Sequence, residues 1–360
     1  MIYLDYQATT PLAPEARDAM LRWLDGPGGE GFGNPHSPHR MGRAAAAAVE
    51  LARDRVAALL PPGGRVIFTS GATEALNLAL RGFAEAGTRP AIACSAIEHA
   101  AVLDTCHAVG DTEIWPVDED GLLDPDHWLE SRPQLVAAMQ VNNEIGVIQP
   151  MVDLHRRAKA MNALFLVDAV QAAGKVEVAQ ADLIAISAHK LHGPKGIGAL
   201  WVRNGVDLHS TSTGGGQEAD LRSGTLSPAL IAGFGAAAAL AKEQLAADAV
   251  HIEGLWDTAR NLFADWTLNG SAEARWHGNL NIRRDGLDAT RLISDVRDVM
   301  FSAGSACASG SGRPSHVLRA IGLDGSQAKS SIRLGFGRYT THDELETAAA
   351  LINTAAERQM

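Results

Sequence analysis

The sequence predicts an α/β fold, with a large domain built on a mostly parallel sheet and a smaller α+β domain after it. Three observations carry this. Short apolar runs alternate with stretches of helical spacing, and the runs are apolar on both faces, as strands covered by helices must be. The alternation stops after an Ala-rich helical stretch near 227–246, beyond which strand-like segments stand apart. The chain has 360 residues, 46% of them hydrophobic and 20% charged, ample for a large core and a second smaller one.

The elements follow in order. "RVIFTS" (65–70) reads as a strand, and "TEALNLALRGFAEAG" after it as a helix with Leu76, Leu80 and Phe83 at helical spacing. "PAIACSAIEH" (90–99) and "QLVAAMQVNNE" (134–144) are strand-like. "DLHRRAKAMNA" (153–163) is helical; "LFLVDAVQ" (164–171), "DLIAISAHK" (182–190) and "IGALWV" (197–202) are strands. "RWHGNLNIR" (275–283) and "SSIRLGFGR" (330–338) suggest a separate small sheet. The closing segment from Thr341 is a helix, with Thr341 and Glu344 fitting a capping box. The expected division is 14–250 for the large domain, and 1–13 with 251–360 for the small one, which carries the loop 302–314.

Charge and cysteine usage narrow the function. Acidic residues outnumber basic ones 42 to 31, for a net charge of -11, and no Lys/Arg run supplies a basic face, so nucleic acid is not an expected partner. The N-terminus has no basic and then apolar leader, and no apolar run is long enough to span a bilayer, so the cytoplasm is the expected location. Cys94, Cys106 and Cys307 form no C-x-x-C pair, which argues against a disulfide framework or a zinc site. The pairs His36/His39 and His189/His192 have no carboxylate or third ligand beside them, so no resident metal is expected.

In open α/β sheets ligands bind beyond the carboxyl ends of the strands, so the polar residues ending each apolar run matter most. They are Gly71-Ala72-Thr73, Glu98-His99, Asn142-Asn143-Glu144, Asp168 with Gln171, and Ser187 with His189-Lys190. A lysine at a strand end, partly desolvated, becomes a usable amine for Schiff-base chemistry. An acid one strand–connection–strand step earlier, Asp168, is what a pyridoxal phosphate ring needs at its pyridinium nitrogen. The start of "GATEALNLA" offers helix N-terminal amides, with Ser70 and Thr73 hydroxyls, to a phosphate. A second Gly-rich loop, 211–225, has similar character. His99 could lie on a cofactor and move protons. Taken singly, each residue has an ordinary structural explanation: a snorkelling lysine, a capping acid, a core histidine. The combination is what points to chemistry.

With these residues together the chain resembles the pyridoxal-phosphate-dependent cysteine desulfurases of iron–sulfur-cluster and nitrogenase-cofactor assembly, members of the fold-type-I, class V aminotransferase superfamily. The resemblance runs in order through "YLDYQATTP", "GFGNPHSPHRMG", "FTSGATEALNLA", "IEHAAVLDT", "VNNEIGVIQP", "VDAVQAAGK", "SAHKLHGPKGIGAL", "GGGQEADLRSGTLSPALIAG", "GSACASGSGRPSHVLRAIGL" and "SSIRLGFGRYTTHDE". It implies pyridoxal 5'-phosphate as cofactor, with Lys190 as the Schiff-base lysine, Asp168 on the pyridine nitrogen, Gln171 on the ring's phenolic oxygen and His99 stacked on the ring. It implies a phosphate cup of Ala72, Thr73, Ser187 and His189, joined across a homodimer by Thr225. Asn143 would stand near substrate and ring oxygen, Arg333 would clamp the substrate carboxylate, and Asn34 would touch substrate. Cys307 would accept sulfur from L-cysteine as a persulfide, leaving alanine, and pass it to an acceptor or iron–sulfur scaffold protein; its thiol is also a transient cluster ligand at most. The small residues around Cys307 leave the loop free to travel between substrate and acceptor.

The sequence departs from the family in two places. The C-terminal helix ends early, where housekeeping members carry a longer tail that docks the scaffold, and "SGRP" stands where a Leu-Glu-Pro-type stretch is commoner. Alternatives remain at this level: a selenocysteine lyase or aminotransferase using the same cofactor, or a sulfur-carrier subunit without activity. A dinucleotide enzyme is disfavoured, because no G-x-G-x-x-G follows the first strand.

Overall fold

The computed structural model describes residues 1–85, 87–126, 132–304 and 315–360. Seven strands form the central sheet, in the order Gly64–Thr69, Gly198–Arg203, Leu183–Ser187, Leu164–Asp168, Leu135–Met139, Ala91–Ser95, Asp111–Trp115. Ladders from Leu183–Ser187 outward to Asp111–Trp115 are parallel, and Gly198–Arg203 runs antiparallel to both its neighbours. The interior strands are apolar on both faces because helices cover both: every residue of Leu135–Met139 and Leu183–Ser187 is buried. Helix Ala72–Phe83 packs Leu76, Leu80 and their neighbours on one face of the sheet. On the other face lie helix Arg40–Ala57 and the long helix Pro228–Leu262, pressed so closely that a Cβ on Gly235 would stand 2.6 Å from the Ala52 Cα.

The Ala-rich helix expected over 227–246 runs on to Leu262, so the expected break at 250 falls inside a helix. Its first half buries Ile231 and Phe234 in the core beneath the large sheet. Its last turns bury Leu255, Trp256 and Ala259 in a second core. That core lies under a four-stranded antiparallel sheet, Ser302–Ala303, Ser331–Gly335, Asn279–Arg283 and Thr267–Leu268. The closing helix His342–Glu357 covers it with Leu345, Ala349 and Ile352. The Thr341/Glu344 capping box is formed in both directions, an arrangement that contributes about 1 kcal/mol. The N-terminal strand Ile2–Tyr3 pairs parallel with Val299–Met300, Leu4 enters the second core, and Asp5 bridges to Gly335. From there the chain runs back to the large sheet, where Thr10 N–H donates to the His189 carbonyl at 2.9 Å. The N-terminal segment thus spans the gap between the two sheets. Among the described residues no helix is long and apolar enough to cross a membrane.

Candidate active site

The site forms where the parallel strands end. Asp168 and Ser187 are the last residues of adjacent strands, and a single 3-10 turn, Ala188–Lys190, carries His189 and Lys190 onward. Helix Ala72–Phe83 starts beside them. Its approach requires Gly198, where a Cβ would meet the Gly71 backbone at 2.7 Å. Gln7 and Ala8 arrive from the N-terminal segment and Arg333 from the small sheet. Together they enclose a cavity of about 560 Å³, a volume usual for a small-molecule site.

Of the residues singled out by sequence, Ala72, Thr73, His99, Asn143, Asp168, Gln171, Ser187, His189, Lys190 and Arg333 all line this one cavity. Asn34 and Thr225 do not: both are exposed, and the Asn34 side chain accepts from the His36 N–H at 2.9 Å. Cys307 lies outside the described residues. Sequence reading assigned no role to Gln7, Ala8, Glu74 or Lys195, which also line the cavity.

Each titratable side chain is held in a defined way. The Lys190 amine donates to the Gln7 carbonyl and, at 2.8 Å, to the Ala8 carbonyl. Asp168 is 5% exposed; burial pushes its carboxyl up, against the opposing pull of the Val170 N–H, His99 and Lys190. His99 caps helix Ala100–Val109, with Nδ1 accepting from the Ala101 N–H at 3.1 Å. A backbone amide can only donate, so Nδ1 carries no proton and any ring proton resides on Nε2. His189 faces Thr9 Oγ1 at 3.2 Å, and burial together with Lys190, Lys195 and Lys175 lowers it to about 4, so it is neutral near pH 7. Burial raises Glu74, but Arg222 and the Ser70 N–H outweigh it and hold that carboxyl below its usual range. The first turn of helix Ala72–Phe83 therefore carries a compensated negative charge. Arg333, 1% exposed, donates to Asp5 Oδ1 at 2.7 Å and to the Asn143 carbonyl at 2.9 Å, while its Nε has no partner among the described residues.

Glu98, beside His99, is fully buried. One of its oxygens accepts from Ser95 Oγ at 2.5 Å and from the Met139 N–H at 2.7 Å; the other has no partner among the described residues. Burial pushes Glu98 up to about 8; the bonds from Ser95 and Met139 oppose this, and Asp168 adds to it. An acid raised in the folded state contributes stability that is complete below its unfolded pKa and lost as pH rises through the folded one. Wild-type protein is therefore expected to lose about 1–2 kcal/mol of stability between about pH 7 and pH 9, read as a falling Tm. Glu98→Gln keeps the acceptor and cannot ionise, so its Tm should stay level over that interval. Parallel curves for the two proteins would show Glu98 to be ionised throughout.

A sheet with an amine and a buried acid at neighbouring strand ends, facing a helix N-terminus, defines a pyridoxal-phosphate enzyme. The residues fit that group: Lys190 supplies the amine, Asp168 the acid, and Gly71 leaves bare backbone at the helix start, with nothing within 4 Å of where a Cβ would stand. The chain belongs to the class-V aminotransferase family, whose model, Aminotransferase class-V, matches residues 2–347. It is 43% identical over 378 residues to the cysteine desulfurase IscS of Aeromonas salmonicida, covering 99% of this chain and 93% of that one. It is 41% identical over 375 residues to the cysteine desulfurase IscS of Colwellia psychrerythraea, covering 98% and 92%. Among solved structures, a NifS-like protein superposes with a TM-score of 0.89 at 31% identity, over 98% of each chain. The structure of SspA in complex with cysteine superposes with a TM-score of 0.82 at 30% identity, over 95% of this chain and all of that one, 100%.

Proposed function

We propose that this protein is a cysteine desulfurase that converts L-cysteine to alanine and retains the sulfur as a persulfide on Cys307. The observation that carries the reading is the convergence of Lys190, Asp168, His99 and Arg333 on one cavity. The cysteine desulfurase relatives and the likeness to SspA, whose structure holds cysteine, support the substrate. The bound cofactor supplies an electron sink for the Cα carbanion. Lys190 would hold the cofactor through its nitrogen and, when that nitrogen is free, would take the Cα proton. Asp168 keeps the ring nitrogen protonated, a role suited to a carboxylate balanced between burial and two cationic or polarisable neighbours. His99, which the resemblance stacks on the ring, would handle the substrate thiol proton through Nε2, its Nδ1 being engaged by the Ala101 N–H. Arg333 takes the substrate carboxylate, with Asn143 beside it. Ala72, Thr73, Ser187 and His189 hold the phosphate; His189, being neutral, does so as a hydrogen-bond partner and not as a charge.

Other parts of the reading rest on resemblance. Cys307 as sulfur acceptor, Thr225 completing a partner's phosphate site in a homodimer, Asn34 as a substrate contact, a cytoplasmic location and delivery to an iron–sulfur scaffold belong together in this proposal. The two-domain division, 14–250 against 1–13 with 251–360, is supported by the core under the small sheet, whose buried residues are Leu4 and residues from Leu255 onward. The deciding assay supplies L-cysteine and a reductant and measures alanine and sulfide together. Equal amounts are the expected result; pyruvate in place of alanine would mean elimination chemistry instead. A Cys307→Ala protein that still released sulfide at the wild-type rate would remove the persulfide step.

A further inference from the structure

Behind Lys190 stands a second amine that the reaction as described does not use. Lys175 follows Gly174, which adopts a φ of +74° and packs so tightly that a Cβ would stand 2.9 Å from Ala241. That turn aims Lys175 inward. Its ammonium donates to Gln171 Oε1 at 2.8 Å and lies 4.5 Å from the centre of the Trp276 ring. Gln171 in turn donates through Nε2 to the Gln7 carbonyl at 3.0 Å, and that same carbonyl accepts from Lys190. Lys175 and Lys190 also share the wall of a second small cavity of about 30 Å³, whose other charged or titratable lining groups are Tyr6, His192, Asp248 and Arg338. Two amines therefore meet across one side-chain amide and one carbonyl.

The orientation of Gln171 follows from this. A lysine ammonium has donors only, so the amide must turn its oxygen to Lys175 and its NH2 end to Gln7 and the main cavity. We propose that Lys175 is a positioning residue for the cofactor site: it locks Gln171 with its NH2 end toward the cavity and sets a positive charge behind the Lys190 nitrogen. The inference rests on the reading of Lys190 as the cofactor-holding amine. Burial first and Lys190 second bring Lys175 down to about 7, so its own charge changes within the physiological range. By reciprocity each cation disfavours protonation at the other site. Asp248 opposes the effect, but it is engaged with Arg338 at 2.6 Å.

The test uses holoenzyme and a spectroscopic readout. The visible absorbance of the Lys190–cofactor adduct is titrated from about pH 6 to about pH 9 in wild type, Lys175→Met, Lys175→Arg and Lys190→Ala. Methionine removes the charge and the donor; arginine keeps both and cannot lose its proton. The expected order of midpoints is Met above wild type above Arg, with Met and Arg about one pH unit apart. Coincident midpoints for Met and Arg would overturn the proposal. Should Lys175→Met fail to fold, Lys175→Gln keeps a donor for Gln171 without charge and carries the same expected upward shift. A Lys190→Ala protein that still formed the adduct would instead overturn the reading of Lys190 itself, and that outcome is distinct from unchanged midpoints in the Lys175 variants.

Discussion

Lys190→Ala is expected to lower kcat/KM for L-cysteine by at least about ten-thousand-fold. Two functions leave with one nitrogen. The covalent hold on the cofactor goes, and so does the base that moves the Cα proton, which by itself accounts for about a hundred- to ten-thousand-fold. Two groups near it are committed elsewhere. Lys175 is tied to Gln171 and sits in a separate small cavity, and His189 is neutral and turned to Thr9. The variant should fold. The Lys190 amine is bonded to two backbone carbonyls at a cavity wall, and their loss exposes acceptors that solvent can satisfy. Its Tm is therefore expected to stay within a few degrees of wild type while the visible adduct absorbance disappears. A folded Lys190→Ala protein keeping more than about a tenth of the wild-type rate would exclude Lys190 from the role, since loss of general acid–base catalysis alone costs more than that.

Much of this was legible in the sequence, for a physical reason. Interior strands of a covered parallel sheet are apolar throughout, so their ends are marked by the first polar residue, and Asp168 and Ser187 stand at those ends. The edge strand Asp111–Trp115 gives no such signal, because only Trp115 is buried. The long helix extends past the stretch its sequence suggests: none of residues 242–251 is buried, so the apolar signal lapses before Ile252, Leu255, Trp256 and Ala259 resume it. The parts of the site contributed by Gln7 and Ala8 act through backbone carbonyls, which leave no residue signature. Glu98 was visible as a strand-end acid, but its elevated pKa depends on full burial, a property of packing. Asp5 was hidden for a similar reason: its partner Arg333 is 328 positions away.

That pair gives the second large expected effect. Arg333→Lys should lower kcat/KM for L-cysteine by about a hundred-fold, mainly through KM, because lysine cannot present two donors in one plane. In the protein the guanidinium is oriented by Asp5 and by the Asn143 carbonyl at the wall of the cavity that would receive the substrate carboxylate. A lysine ammonium would have to choose between Asp5 and the substrate. Asp5→Asn keeps an acceptor for the guanidinium and removes the competing charge, so its KM should change by no more than about five-fold and in the direction of tighter binding. In the double variant the two effects should not add, since both act on the same guanidinium. Arg333→Met should behave differently, destabilising the fold by about 1–3 kcal/mol because it leaves the partly buried Asp5 carboxylate and the Asn143 carbonyl without their donor. A Lys variant with unchanged KM, in a protein that folds normally, would place the substrate carboxylate elsewhere. Arg333 would then serve only to bind the N-terminal segment to the small sheet.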